Sequence, residues 1–78
     1  MQNETQSSNN DENKLYININ TDNIYELDRL EGIGEKMAKR IIDYRKKNGD
    51  FEVIQDVMRV AGIGKKKFEK IKDNIYIE

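Results

Sequence analysis

The sequence predicts an all-α fold made from two copies of one helix–tight turn–helix unit, and three observations predict it. Gly-Ile-Gly occurs twice, at Gly32-Ile33-Gly34 and at Gly62-Ile63-Gly64, an offset of thirty residues. The offset carries its surroundings along. Ile24, Leu27, Leu30, Ile33 and Ile41 match Ile54, Val57, Val60, Ile63 and Ile71, while Arg29, Lys36 and Arg40 match Arg59, Lys66 and Lys70. The apolar residues on either side of each glycine pair recur at three- and four-residue spacings, the period of a helix face. One such unit cannot bury its apolar stripe alone. Two copies facing each other about a pseudo-twofold axis can.

The elements follow in order. Residues 1–14 hold Met1 as their single large apolar residue among Gln, Asn, Ser, Thr, Glu, Asp and Lys. Such a stretch buries too little to offset its ordering entropy and reads as a disordered tail or linker, which leaves 15–78 as the folded domain. Residues 16–20 and 75–77 show short apolar alternation and predict extended ends that pair or pack on the helices. Thr21 or Asp22 is suited to cap a first helix carrying Ile24, Leu27 and Leu30 on one stripe. A second helix is expected over 35–48, with Met37, Ala38, Ile41 and Ile42 on one face. Lys36, Arg40 and Lys47 share the other with Asp43, and Gly49 supplies the stop. Phe51 leads into a third helix over 54–60. A fourth spans 65–73, with Phe68 and Ile71 inward and Lys66 and Lys70 outward.

Composition narrows the function. The chain has 78 residues, neither His nor Cys, and 14 basic against 15 acidic residues. Without His or Cys, the usual nucleophile–base pairs, disulfides and ordinary zinc sites are missing. About sixty residues in four short helices cannot enclose a pocket for a flipped base, so catalysis is not expected. No apolar run has membrane-spanning length, so this chain itself is not expected to insert into a membrane. Charge is informative only when divided. Residues 36–47 hold six basic residues and one acid, and residues 65–72 hold five lysines and one acid. A near-neutral domain can therefore present one basic face.

The Gly-Ile-Gly turns suggest what that face holds. Glycine allows positive φ and removes the Cβ, so backbone can approach a ligand closely. The central Ile points inward as an anchor. Each turn opens into a helix start whose first amides lack intrahelical acceptors, a setting that suits a phosphate oxygen. Lysines within the next turn neutralise phosphate charge. The candidate DNA-binding residues are thus Gly32, Ile33, Gly34, Lys36 and Arg40 in the first unit. In the second they are Gly62, Ile63, Gly64, Lys65, Lys66 and Lys67. Glu35 carries the wrong sign for a phosphate, so the second turn is expected to bind more strongly. A lone Gly-x-Gly between helices is usually only a tight turn; its repetition with a basic residue at the matching place favours phosphate.

This pattern resembles the helix-hairpin-helix motif: an apolar residue, Gly-apolar-Gly, and a small residue four positions on. Gly32-Ile33-Gly34 with Ala38 fits it, whereas the second copy has Phe68 at the small position. A more specific likeness runs over about residues 17–77. Asn18-Ile19-Asn20-Thr21, Leu30-Glu31-Gly32-Ile33-Gly34, Ile41-Ile42-Asp43-Tyr44-Arg45, Gly49-Asp50-Phe51 and Val60-Ala61-Gly62-Ile63-Gly64 resemble the competence protein ComEA family. Asp22 and Ile54-Gln55 depart from that family's pattern, outside the hairpins. The resemblance implies a tandem helix-hairpin-helix domain that binds double-stranded DNA without sequence preference. It implies a DNA receptor in natural transformation, extracytoplasmic and membrane-anchored in the full-length protein, acting with DNA-uptake machinery. No cofactor is implied beyond the option of a monovalent cation on the hairpin carbonyls. Two other functions fit such a domain: a protein–protein docking module, and a cytoplasmic DNA-binding piece of a repair or replication protein.

Three further features carry expectations. Arg45 falls on the apolar face by helical phase, which predicts a packed stem with its guanidinium on a carboxylate or on helix C-terminal carbonyls. Tyr16, Tyr25 and Tyr76 are expected to complete the small core. Arg29 and Arg59, at matching places before each hairpin, either touch phosphate or brace the turn.

Overall fold

Burial follows the thirty-residue repeat. Leu27, Leu30, Ile33, Ala38 and Ile41 are buried in the first unit, and Val57, Val60, Ile63, Phe68 and Ile71 take the same places in the second. The computed structural model describes residues 15–78, in which these ten side chains join Ile17, Ile19, Phe51 and Ile75 in one core. The polar segment expected as a linker, residues 1–14, lies outside the described residues. Phe68 therefore enters the core where its counterpart is Ala38, so the larger ring is accommodated inside and not turned out.

The chain runs β1 (Ile17–Asn18), α1 (Ile24–Leu27), α2 (Glu35–Asn48), a 3₁₀ helix (Ile54–Arg59), α3 (Lys65–Ile71), a 3₁₀ turn (Lys72–Asn74) and β2 (Ile75–Tyr76). Helices dominate, as expected. The third is 3₁₀ and not α. Ile54, Val57 and Val60 are spaced by three, and a three-residue period stacks them on one line only in a 3₁₀ helix. The same spacing limits α1 to one turn, after which i→i+3 bonds from Arg29 and Leu30 N–H continue the chain. The cap of α1 is Asn23, whose Oδ1 accepts from Glu26 N–H at 3.0 Å. Asp22, one of the two residues expected there, instead accepts from Asn18 N–H at 3.1 Å. α2 spans the predicted residues and ends at Gly49, with φ +89°. Among the described residues no helix is long and apolar enough to cross a membrane.

The two ends meet. β1 and β2 pair in parallel, Ile17 opposite Ile75 and Asn18 opposite Tyr76. A parallel pair needs a long crossover, and here the whole helical domain is that crossover. Asn74 Nδ2 adds a bond to Leu15 carbonyl at 3.1 Å. Arg45 ties this end to α2. Its guanidinium donates to the carbonyls of Ile19 and Asp22, both at 2.8 Å. Its role is structural, as expected, but the acceptors lie in the N-terminal turn and not at a helix C-terminus. The tyrosine expectation fails. Tyr16, Tyr25 and Tyr76 are exposed, Tyr25 at 78%. Inward-facing Leu27 sets the phase of α1, and that phase leaves Tyr25 in solvent. The aromatic contribution to packing comes instead from Tyr44, which stacks on Phe51 with centroids 5.4 Å apart.

One buried polar contact joins the halves. Asn20 accepts from Phe51 N–H through Oδ1 at 2.7 Å and donates Nδ2 to Phe51 carbonyl at 3.0 Å. Its amide imitates one rung of a β-ladder and satisfies both backbone groups where the chain passes between repeats. Magnitudes rank the contributions. Burying one large aliphatic side chain is worth about 1.5–3 kcal/mol, an exposed ion pair about 0–1 kcal/mol. The four ion pairs of Arg29, Lys39, Arg59 and Lys72 are short-range and mostly exposed, so they decorate a fold that the core holds. Replacing Asn20 with Ala should cost about 2–4 kcal/mol, since it strands a buried donor and a buried acceptor at once. Urea unfolding checks this, with the midpoint falling and the slope unchanged.

Candidate nucleic-acid interface

The hairpins are built by the same local rules twice. Leu30 N–H bonds Leu27 carbonyl and Ile33 N–H bonds Leu30 carbonyl; Val60 and Ile63 repeat both bonds on Val57 and Val60, all at 3.0–3.1 Å. Gly32 has φ +80° and Gly62 φ +95°. Residues with a Cβ are disfavoured in that region, which is why glycine stands first in each turn. Gly34 and Gly64 are extended helix N-caps, with φ −96°, ψ −171° and φ −94°, ψ −170°. Glycine has no side chain to cap with, so nothing from the cap covers the first amides. Intrahelical bonding begins at Ala38 N–H and Phe68 N–H, on the carbonyls of Gly34 and Gly64. The side chains of Ile33 and Ile63 are buried, 3% and 2% exposed. They anchor the turns from inside, and their N–H groups are already used within the hairpins.

The basic residues divide by whether the protein already uses them. Arg29 pairs with Glu26 at 3.1 Å and Arg59 with Asp56 at 3.4 Å. Both pairs lie in the turn that leads into a hairpin. Lys39 pairs with Glu35 at 4.0 Å. Lys72 pairs with Glu69 at 2.9 Å, and the hydrogen bond and charge of Glu69 raise the lysine's pKa. Arg45 is held by carbonyls. Two of the expected DNA contacts also have intramolecular partners. Lys67 donates Nζ to Gly32 carbonyl at 3.1 Å, and Arg40 donates Nη1 to Ala61 carbonyl at 3.3 Å. Among the described residues, Lys36, Lys65, Lys66 and Lys70 have neither a carboxylate nor a carbonyl partner, as do Lys46 and Lys47 farther along α2.

Three of these partnerless lysines line one place. A groove of about 440 Å³ is bounded by Gly32 of the first hairpin and by Lys65, Lys66, Lys67, Glu69 and Lys70 of the second unit. The second unit thus brings its charge to the first hairpin's loop, so the weaker charge of the first, where Glu35 opens α2, is supplemented from across the axis. Sequence reasoning did not include Lys70 as a candidate. The signal was present in its thirty-residue match to Arg40, but only the structure shows that Arg40 is occupied and Lys70 is not.

Contacts across the axis also explain the two turn glycines separately. A Cβ on Gly62 would lie 2.7 Å from Met37 Cε and 2.9 Å from Arg40 Nη1; one on Gly32 would lie 3.7 Å from Lys67 Cγ. Gly32→Ala should therefore cost only the left-handed backbone conformation, about 1–2 kcal/mol. Gly62→Ala must also move the free ends of the Met37 and Arg40 side chains, which flexible side chains do at little cost, so it should lose a similar amount, about 1–2 kcal/mol. Chemical denaturation of the two variants side by side checks this.

Comparison with known proteins agrees with this geometry. The family described as Helix-hairpin-helix motif matches residues 12–76, nearly the whole chain. ComE operon protein 1 of Bacillus subtilis is 47% identical over 62 residues, covering 80% of this chain and 30% of that protein. An uncharacterized protein of Haemophilus influenzae is 43% identical over 60 residues, covering 76% of this chain and 54% of its own length. Endonuclease/exonuclease/phosphatase family domain-containing protein 1 of Mus musculus is 36% identical over 62 residues, covering 80% of this chain and 11% of that protein. The chain spans from about a tenth to about half the length of these relatives. With two hairpins of the same geometry inside the matched residues, the chain belongs to the helix-hairpin-helix family.

Proposed function

We propose that this domain binds double-stranded DNA through its sugar–phosphate backbone, without reading base sequence and without catalysis. One observation carries the reading. Two hairpins of matching backbone geometry lie beside lysines that have no partner among the described residues, Lys36 at the first and Lys65 and Lys66 at the second. Uncapped amides and unpaired ammonium groups suit phosphate oxygens, and such contacts position a protein on a duplex without reporting base identity. Lys70 lines the same groove as Lys65 and Lys66. Several lysines at one groove, with Lys36 at the other hairpin, fit successive phosphates of a duplex better than a single small anion. The absence of His and Cys from the chain leaves the usual nucleophile–base pairs without members, so the proposed role ends at binding. The resemblance to the ComEA family extends the proposal to a DNA receptor in competence, held outside the cytoplasmic membrane in the full-length protein and passing DNA to uptake machinery.

Fluorescence anisotropy with labelled duplexes of two unrelated sequences, over a salt series, tests this. If about four lysines meet phosphates, log affinity should fall with log salt at a slope near −3 to −4, alike for both duplexes. Lys65→Ala with Lys66→Ala should flatten the slope by about one to two units. No binding at low salt would overturn the proposal and return the domain to the docking-module reading.

A further inference from the structure

Each hairpin is held by a cation from the other repeat. Lys67, the third residue of α3, donates to Gly32 carbonyl at 3.1 Å, and its Cγ lies 3.7 Å from where a Cβ on Gly32 would be. Arg40, from α2, donates to Ala61 carbonyl at 3.3 Å, and with Met37 it fills the space in front of Gly62. The straps run in opposite directions, the second unit's helix to the first hairpin and the first unit's helix to the second. Lys67 occupies the repeat position of Met37. In the second unit one side chain therefore does what Met37 and Arg40 share in the first: an aliphatic stem covers the turn glycine and a cation takes a hairpin carbonyl. Lys70, the repeat partner of Arg40, is left without that duty.

We infer that Lys67 and Arg40 are positioning residues that lock the two hairpins together, and that their cationic groups serve the hairpin carbonyls from inside the protein. The inference rests on the proposed DNA reading and reassigns two of its expected phosphate contacts. It also bears on the monovalent cation that the family resemblance allows. A cation on Gly32 or Ala61 carbonyl would have to share that oxygen with an ammonium or guanidinium already donating to it, and like charges at that range repel. The residues present do not suit an added ion there. The straps give the domain one fixed spacing between hairpins, so a phosphate bound at the first hairpin presents the second without further ordering of the protein.

The test compares the wild-type protein with Lys67→Met, which installs the residue of the sister repeat, and with Lys67→Arg. Duplex affinity is measured over a salt series, and amide hydrogen exchange is measured in the free protein. In Lys67→Met, affinity should fall about three- to tenfold with the salt slope unchanged, and exchange at Ile33 N–H should quicken at least threefold. Lys67→Arg should restore both. For the wild type, affinity at constant ionic strength should be the same in potassium, sodium and tetramethylammonium chloride. A slope flattened by about one unit with hairpin exchange unchanged would make Lys67 a phosphate contact and overturn the inference. So would unchanged affinity and exchange in Lys67→Met, or a preference for one monovalent cation in the wild type. Exchange is read without DNA. Failure of the wild type to bind any duplex would therefore defeat the proposed function, while the strap would stand or fall on the exchange of Lys67→Met.

Discussion

Both hairpins turn on a glycine of positive φ, Gly32 and Gly62, and the rest of the hairpin geometry depends on that turn. At the second, the end of the Met37 side chain, from the third residue of α2, packs in front of the glycine. The turn can receive it because Gly62 has φ +95° and no side chain. Ile63, next in the turn, then points into the core, and Gly64 opens α3 outward with its first amides uncovered. The same sequence of events runs through Gly32, Ile33 and Gly34 with Lys67 as the visitor. Buried anchor, close contact and exposed helix start are consequences of one turn geometry used twice.

That arrangement also decides which charges are available outside. A lysine whose Nζ rests on a hairpin carbonyl, or an arginine paired three residues back, loses part of its favourable interaction if it turns to a phosphate. A lysine bonded only to water exchanges one solvation for another. By this measure Lys36, Lys65, Lys66 and Lys70 are the inexpensive contacts. Lys65, Lys66 and Lys70 gather beside the first hairpin's Gly32, and Lys36 stands in the first turn of α2. The domain keeps several lysines without a carboxylate partner at near-neutral total charge because some of its acids pair locally with other basic residues, Arg29 and Arg59 among them.

Small helical units need something to close them. α1 has four residues and α3 has seven, lengths at which an isolated helix is not stable in water. Closure comes from contacts far apart in sequence: β1 on β2, Arg45 on the carbonyls of Ile19 and Asp22, and Asn20 on Phe51. Each satisfies backbone groups that a chain of short elements would leave without partners, and together they hold the two repeats around one core.

Much of this was legible in the residues themselves. The thirty-residue offset specified the two units and the inward faces of α2 and α3, Gly49 marked the stop of α2, and short apolar alternation marked ends that would pair or pack on the helices. These depend on local spacing and on residue chemistry that a linear pattern records. Spacing by three in Ile54, Val57 and Val60 already contained the 3₁₀ helix, although periodicity alone reads it as an ordinary helical turn. The cap of α1 passed from Asp22 to Asn23 because Asp22 was needed by Asn18 N–H, a partner no local rule would select. The exposure of Tyr16, Tyr25 and Tyr76 and the occupation of Lys67 and Arg40 were likewise decided by tertiary structure. Which way a side chain faces, and what already holds it, depends on groups brought near by folding: Gly32 and Lys67 are thirty-five residues apart, Arg40 and Ala61 twenty-one. The sequence by itself determined that there would be two hairpins with lysines beside them; only folding decided which of those lysines were left for a ligand, because a charge is free only when no oxygen in its own protein has come within reach.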